Sequence, residues 1–150
     1  MPHTAAALTL AMAMVSTPIS TVKSTQPAPK NPVMQEISLP CADKTCVVDL
    51  ISFYADAYDV DEGTALSVAR CESEFKTTAV GDGGRAYGVY QFHEPTFREF
   101  AKKFGNEGLE YKSTEDSIQL AMWALANGKG NHWTCYRRIV AADHKVASAK

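Results

Sequence analysis

Cys-Glu-Ser-Glu-Phe at residues 71–75 and Gly-Val-Tyr-Gln-Phe at residues 88–92 are the most informative stretches of this 150-residue chain. Before the first stretch, Ala65 and Val68 recur at helical spacing, and Glu72 falls on the same stripe, which is predicted to face the core. An apolar helix thus ends on one acid, and a glycine-rich loop follows it. A carboxylate on an apolar stripe needs a reason, either chemical or structural.

Glu72 is the first candidate for a catalytic residue. Burial disfavours the charged form of a carboxyl group, so we expect the pKa of Glu72 to be raised, as a general acid near neutral pH requires. The alternative is a glutamate at the edge of the core that pairs with an arginine or caps a backbone group. The motifs that follow it favour the catalytic interpretation.

The N-terminal forty residues differ in composition from the rest of the chain. Six of the seven prolines lie at or before Pro40, whereas every glycine lies at or after Gly63. The apolar, uncharged run at residues 5–15 predicts a signal peptide over residues 1–20, the alternative being a disordered or core segment. Composition then predicts a Pro-rich disordered linker at residues 21–40 and one folded domain at residues 41–150.

Charge and composition exclude some classes of partner. The formal net charge is −2, and no basic stripe is interleaved with aromatic residues, so we expect no binding of nucleic acid. The apolar run is too short to span a bilayer comfortably, so we expect no stable membrane insertion. We expect a monomer that is secreted or associated with the cell envelope.

Four cysteines, an even number in a chain expected to be exported, predict two disulfide bonds, for which three pairings exist. We favour Cys41–Cys46, which closes a short loop at the start of the domain, and Cys71–Cys135, which ties the end of the second helix to a late segment. A zinc site is disfavoured because the Cys-x4-Cys spacing has no matching Cys or His pair downstream. The histidines considered for it are His93, His132 and His144.

Apolar residues at helical spacing predict a mainly α domain. The first helix is predicted to bury Val48 and Ile51, and a last short helix is predicted around residues 136–142. Only residues 80–92, with four glycines, are expected to form a short hairpin or irregular loop, which would be one wall of a substrate groove. The predicted caps are Asp61 for the second helix, Pro95 and Gly105 for the third, and Ser113 or Thr114 and Gly128 for the fourth.

The joint order of these motifs resembles the lytic transglycosylase branch of the lysozyme-like superfamily over about residues 46–138. The Cys-Glu-Ser triplet at residues 71–73 and His-Trp-Thr-Cys at residues 132–135 look particularly like the resuscitation-promoting factor group, in which a bridge joins the cysteine before the catalytic glutamate to a late cysteine. The other matching parts are Val60-Asp61, Phe75, residues 88–92 and Pro95-Thr96-Phe97.

This resemblance implies an α+β lysozyme-like fold and a glycan strand of peptidoglycan as substrate. Glu72 would protonate the leaving oxygen of the β-1,4 bond from N-acetylmuramic acid to N-acetylglucosamine. The same residue would then act as base on the sugar's own 6-hydroxyl, which gives a 1,6-anhydro product. No metal or organic cofactor is implied.

The resemblance also implies a set of sugar-binding or orienting residues. Ser73 matches the serine beside the acid, and Gln91 matches a glutamine that lines the sugar site. Tyr87 and Tyr90 are expected to offer flat faces to sugar rings, although Tyr90 is equally compatible with half-buried packing. The full predicted set is Ser73, Tyr87, Tyr90, Gln91, Asn127 and Trp133, with Trp133 either a wall of the groove or a lid over the bridge.

The sequence departs from the family pattern at two places. Many relatives carry a tyrosine that touches the acid in a late Ala-x-x-Tyr-Asn-x-Gly motif, whereas residues 123–128 read Trp-Ala-Leu-Ala-Asn-Gly. The partner of Glu72 is therefore not indicated. The glycines that usually follow the Cys-Glu-Ser triplet are replaced by Glu74 and Phe75.

Two other functions stay open. A muramidase, which hydrolyses the same bond, would use a second carboxylate about 5 Å or about 6.5–9.5 Å away, or the substrate's own N-acetyl group. Asp82 in the glycine-rich loop is the candidate, its alternative role being that of a turn residue, whereas Glu74 is expected to be solvated. The third possibility is a non-catalytic envelope module that binds peptidoglycan.

Overall fold

The structure is a computed structural model that describes Cys41 and residues 43–147, with side chains described as far as residue 142. The predicted signal peptide at residues 1–20 and the predicted linker at residues 21–40 lie outside the described residues, as does the side chain of His144.

The described chain forms five α-helices and a small antiparallel sheet, which confirms the predicted mainly helical α+β architecture. The sheet occupies the glycine-rich region that was predicted to form a hairpin or loop. In chain order the elements are α1 (Lys44–Tyr58), α2 (Glu62–Ser73), β1 (Val80–Gly81), β2 (Ala86–Tyr87), β3 (Phe92–His93), α3 (Glu94–Phe104), α4 (Thr114–Ala126) and α5 (Thr134–Ala147).

Local capping residues set most helix ends as predicted. The side chain of Asp61 accepts a hydrogen bond from the backbone N–H of Thr64 and begins α2. Ser113, rather than Thr114, caps α4 by accepting from the N–H of Asp116. Gly105 ends α3 with a φ of 86°, a left-handed conformation that glycine adopts without steric cost.

Two helices differ from the sequence-based prediction. Helix α1 buries Val47 rather than Val48, which is only half-buried, because α1 packs against both α2 and α4 and its buried face lies between them. Helix α5 is longer than predicted and begins at Thr134. A 3₁₀ turn at Gly130–His132 leads into it, and its packing against α2 supports the first turns.

The core is built around α4, which packs against α1 and α3. Residues 120–126 of α4 are all apolar, and residues 120–124 are buried, as expected for a helix segment that is covered on most sides. The sheet is attached to this core through Phe92. The centroid of its ring lies 5.6 Å from that of Phe97 and 5.2 Å from that of Trp133. The buried residues of α4 are Ser117, Ile118, Leu120, Ala121, Met122, Trp123 and Ala124.

Both predicted disulfide bonds are present. Cys41–Cys46 lies at the start of the described domain, and Cys71–Cys135 joins the end of α2 to the first turn of α5. The second bond links residues 64 positions apart, so loop-closure entropy predicts a stabilisation of about 4 kcal/mol. Of the helices in the described range, not one combines the length and the apolar character needed to cross a membrane.

Candidate active site

A cleft of about 360 Å³ opens between the small sheet, the end of α2 and the first turns of α3 and α5. It brings Glu72 and Asp82, which are separated by a loop in sequence, to the same cavity. Its lining residues are Glu72, Asp82, Ala86, Gln91, Phe92, His93, Thr96, His132, Trp133 and Thr134.

Glu72 lies in the last turn of α2 and is half-buried. The backbone N–H of Cys135 donates a hydrogen bond to Oε1 of Glu72, with 3.4 Å between nitrogen and oxygen. Burial raises the pKa of Glu72, while this hydrogen bond and the positive charge of Arg138 lower it by less. The net pKa is above the ordinary value, which is the predicted direction and suits a proton donor.

The chain leaves α2 through two left-handed residues, Glu74 with a φ of 55° and Phe75 with a φ of 68°. These are the positions where the resembled group carries glycine, and this backbone geometry gives the physical reason for glycine there. The turn returns Phe75 to the core, where it is buried. Glu74 is exposed and pairs with Lys76 at 3.1 Å, so its predicted solvation is confirmed.

Asp82 reaches the cleft from the turn between β1 and β2. Nη2 of Arg85 donates to Oδ1 of Asp82 at 2.9 Å, and Nε2 of His93 lies 2.9 Å from Oδ2. Both carboxylate oxygens are therefore engaged. His93 stands opposite Ala86 in the sheet, so this contact ties the turn to β3 and to the start of α3.

Gln91 and Trp133, both predicted to bind sugar, line the cleft. Their donor groups are already used within the protein, however. Nε2 of Gln91 donates to the carbonyl oxygens of Ala79 and Gly88, and Nε1 of Trp133 donates to the carbonyl oxygen of Tyr90 at 2.7 Å. Gln91 and Trp133 therefore form part of the cleft wall, but Nε2 of Gln91 and Nε1 of Trp133 already donate to backbone carbonyl oxygens.

The prediction that Tyr90 offers a ring face to sugar is wrong. Tyr90 is fully buried, and its hydroxyl donates to the carbonyl oxygen of Ala65 at 3.0 Å, so the side chain joins the loop to α2. Ser73 is also buried and does not line the cleft, contrary to a direct sugar contact. Its hydroxyl lies 2.8 Å from the carbonyl oxygen of Val89, where it orients the loop against the end of α2.

Tyr87 and Asn127 are not among the residues that line the cleft, so their role in sugar binding stays a prediction. Successive side chains of a strand point to opposite faces, and Ala86 occupies the cleft face. Tyr87 therefore packs on the other face against Tyr111, with 5.9 Å between ring centroids. Asn127 caps the end of α4, where its Nδ2 donates to the carbonyl oxygen of Trp123.

Four polar residues of the cleft were not predicted to bind substrate: His93, Thr96, His132 and Thr134. The last three lie inside motifs that match the resembled family, and His93 directly follows one, so their positions in these motifs were the available signal. His93 and His132 were considered only as zinc ligands. The described residues contain no group of three or more histidines, cysteines or acids placed to hold a metal ion.

The sequence was compared with protein-family models, and one model matches it. The model described as the transglycosylase SLT domain matches residues 49–142, more than half of the chain and every residue that lines the cleft. A search of curated proteins and a search of solved structures found no match. The match is to the broad domain family and does not separate the resuscitation-promoting factor group from the rest.

Proposed function

Because the chain belongs to the transglycosylase SLT domain family, which is lysozyme-like and acts on peptidoglycan, we propose that it is a lytic transglycosylase whose general acid is Glu72. The bond cleaved is the β-1,4 bond from N-acetylmuramic acid to N-acetylglucosamine. The observation that carries this proposal is the position of Glu72, a half-buried carboxyl group in the cleft with a raised pKa and a backbone N–H at Oε1.

The chemistry requires one carboxyl group in two protonation states. Protonated Glu72 gives its proton to the glycosidic oxygen as the bond to C1 of the muramic acid breaks. The resulting carboxylate then takes the proton of the 6-hydroxyl of the same sugar, whose oxygen bonds to C1. Glu72 ends protonated again, the product carries a 1,6-anhydro ring, and no water is consumed.

The N–H of Cys135 supports the charged form in this cycle. It belongs to the first turn of α5, where backbone N–H groups lack partners within the helix and the helix dipole is positive. Burial raises the pKa of Glu72 and so favours the protonated form, whereas this N–H favours the carboxylate that forms during the reaction.

The environment of Asp82 favours transglycosylation over hydrolysis. A muramidase would use a second carboxylate as nucleophile or as the base for a water molecule. Oδ1 of Asp82 accepts a hydrogen bond from Arg85 and Oδ2 lies beside His93, which supports a structural role for Asp82 in holding the turn to β3. The transglycosylase route needs no second carboxylate.

We further propose that the protein is exported and acts as a monomer in the cell envelope or outside it. Two disulfide bonds support this proposal, because such bonds persist in oxidising compartments. The predicted signal peptide at residues 1–20 would direct export.

The test is mass spectrometry of the soluble products after the oxidised full chain has acted on purified peptidoglycan, with Glu72→Gln in parallel. Anhydro-ended muropeptides that disappear with Glu72→Gln are the expected result. Reducing-end products would overturn transglycosylation in favour of a muramidase. A folded, oxidised protein that binds the wall and releases nothing would instead identify a binding module.

A further inference from the structure

Thr134 is the first residue of α5, and its exposed side chain carries a hydroxyl group into a segment that lines the cleft. Nη2 of Arg137, one turn further along the helix, donates to Oγ1 of Thr134 at 2.9 Å. Nη1 of the same guanidinium donates to the carbonyl oxygen of Asn131, in the turn that precedes α5. Arg137 therefore fixes the position of the Thr134 hydroxyl.

The hydrogen bond from Arg137 also decides what the Thr134 hydroxyl can offer to a ligand. A hydroxyl group has one proton to donate and two lone pairs with which to accept. Arg137 uses one lone pair, and in the part of the chain that the structure describes the Thr134 hydroxyl makes no other hydrogen bond. Its proton is therefore open to an acceptor in the cleft, and the neighbouring positive charge strengthens it as a donor.

This open donor distinguishes Thr134 from two other residues of the cleft. Nε2 of Gln91 and Nε1 of Trp133 both donate to backbone carbonyl oxygens. Thr134, in contrast, is joined by a peptide bond to Cys135, whose N–H binds Glu72. The hydroxyl thus combines a free proton with a place beside the candidate acid.

Covalent geometry limits the distance between the Thr134 hydroxyl and Glu72. Four bonds join Oγ1 of Thr134 to the nitrogen of Cys135, so these two atoms lie within about 5 Å of each other in any rotamer. That nitrogen lies 3.4 Å from Oε1 of Glu72. Oγ1 of Thr134 is consequently within about 8 Å of Oε1. One substrate hydroxyl that donates to Glu72 and accepts from Thr134 spans up to about 5.5 Å, which falls inside this limit.

The second step of the proposed reaction brings one substrate hydroxyl to Glu72. The 6-hydroxyl of N-acetylmuramic acid gives its proton to the Glu72 carboxylate, and its oxygen bonds to C1. Negative charge develops on this oxygen as the proton leaves. A hydrogen bond donated to the oxygen stabilises that charge and holds the group in place. Thr134 would keep its own proton throughout, so the proton balance of the reaction is unchanged.

We propose that the hydroxyl of Thr134, held by Arg137, donates a hydrogen bond to the 6-oxygen of the N-acetylmuramic acid bound at Glu72. Thr134 then positions the nucleophile and favours its attack on C1 over attack by water. Arg137 acts only through Thr134. This inference deepens the proposed function and rests on it.

The first test measures binding by titration calorimetry with the oxidised full chain carrying Glu72→Gln, so that no turnover is needed. The probe is a tetrasaccharide of alternating N-acetylglucosamine and N-acetylmuramic acid, either intact or with hydrogen in place of the 6-hydroxyls of its muramic acids. Addition of Thr134→Val should weaken binding of the intact probe about twofold to tenfold and leave binding of the 6-deoxy probe unchanged. An equal effect on both probes would overturn the proposal.

Two further variants separate the hydrogen bond from a structural role of Thr134. Thr134→Ser keeps the hydroxyl group and should discriminate between the two probes as the parent protein does. Thr114 is the first residue of α4 and is not among the residues that line the cleft. Thr114→Val makes the same chemical change at the same helix position and should leave both affinities unchanged. Equal losses with Thr114→Val and Thr134→Val would contradict a contact specific to Thr134.

The products provide a second measurement that a purely structural role would not change. With Glu72 intact, Thr134→Val should lower kcat for the anhydro product about twofold to tenfold and raise the share of reducing ends, because water competes better for C1. Arg137→Gln should act in the same direction in wild-type protein. It should have no further effect in the Thr134→Val protein, since Arg137 acts through Thr134. An unchanged kcat and product ratio with Thr134→Val would overturn the proposal.

The proposal and the proposed function fail separately. If wild-type protein releases anhydro products but Thr134→Val affects both probes equally, the role of Thr134 is wrong and the enzyme assignment stands. If Thr134→Val weakens only the intact probe but wild-type protein releases no anhydro product, the contact stands and the transglycosylase assignment is wrong.

Discussion

The backbone N–H of Cys135 donates to Oε1 of Glu72, and the sulfur of the same Cys135 is bonded to Cys71, the residue that precedes Glu72. Cys135 is thus linked to the segment of Glu72 twice, by a disulfide bond to Cys71 and by a hydrogen bond to Glu72 itself. Where the resembled pattern has a late tyrosine that touches the acid, the first turn of α5 contacts Glu72 in this chain. We therefore expect stability and acid–base chemistry to be coupled at this position.

Removal of the long disulfide should therefore affect both properties. The double variant Cys71→Ser, Cys135→Ser is expected to lose about 2–4 kcal/mol of unfolding free energy, because the unfolded chain is no longer constrained. Its kcat/KM on peptidoglycan should fall as well, since α5 is no longer held against Glu72. Urea unfolding and product assays measure the two effects.

The short bridge provides the matched control. Cys41→Ser, Cys46→Ser opens a loop of only five positions at the start of the described domain and does not touch the cleft. It should reduce stability less and leave kcat/KM of the folded protein unchanged. Equal activity losses from the two double variants would contradict the positioning role of Cys135.

The raised pKa of Glu72 predicts how stability depends on pH. Below the ordinary pKa of 4.5, the folded and unfolded states both hold the proton. As the pH rises through the higher folded-state pKa, a half-buried carboxyl must ionise, and the stability that Glu72 contributed is lost. Glu72→Gln is neutral at every pH, so its Tm relative to wild type should increase as the pH is raised from about 4 to about 8. A Tm difference that does not vary with pH would contradict a raised pKa.

Asp82→Asn separates a structural from a catalytic role of Asp82. Loss of a general base typically costs about 10²–10⁴-fold in rate. We expect a loss of less than about tenfold, because asparagine still offers one oxygen to Arg85 or His93 and only the charge is removed. The products should keep their anhydro ends. A loss of the larger size, together with reducing ends in the wild-type products, would make Asp82 a catalytic residue.

The left-handed turn after α2 predicts a stabilising substitution. Glu74 has a φ of 55°, a conformation that costs a residue with a Cβ roughly 1–2 kcal/mol and costs glycine almost nothing. Glu74→Gly should therefore increase the unfolding free energy by about 1 kcal/mol. Glu99→Gly, at an exposed helical position in α3, should instead lower it by about 1 kcal/mol. Urea unfolding of the two variants compares them directly.

The sequence predicted the parts of this fold that depend on near neighbours along the chain. Asp61, Ser113 and Gly105 mark helix ends because a cap is satisfied within three or four residues. Tyr90 was misassigned as a sugar-facing ring for the opposite reason. Which face of a two-residue strand meets the cleft, and whether a loop tyrosine turns inward, depends on partners far away in sequence.

The cleft itself shows the same division. The sequence alone determined that an acid ends α2, that two disulfides form and that a glycine-rich segment becomes the wall, because periodicity, cysteine number and glycine content are local or compositional properties. Only the tertiary structure decided that Glu72 accepts a hydrogen bond from an N–H 63 positions away and that Arg85 and His93 contact Asp82. It also decided that Thr96, His132 and Thr134 line the cavity. Those contacts arise when α2, α3, α5 and the sheet pack around α4, and no spacing within one segment encodes them.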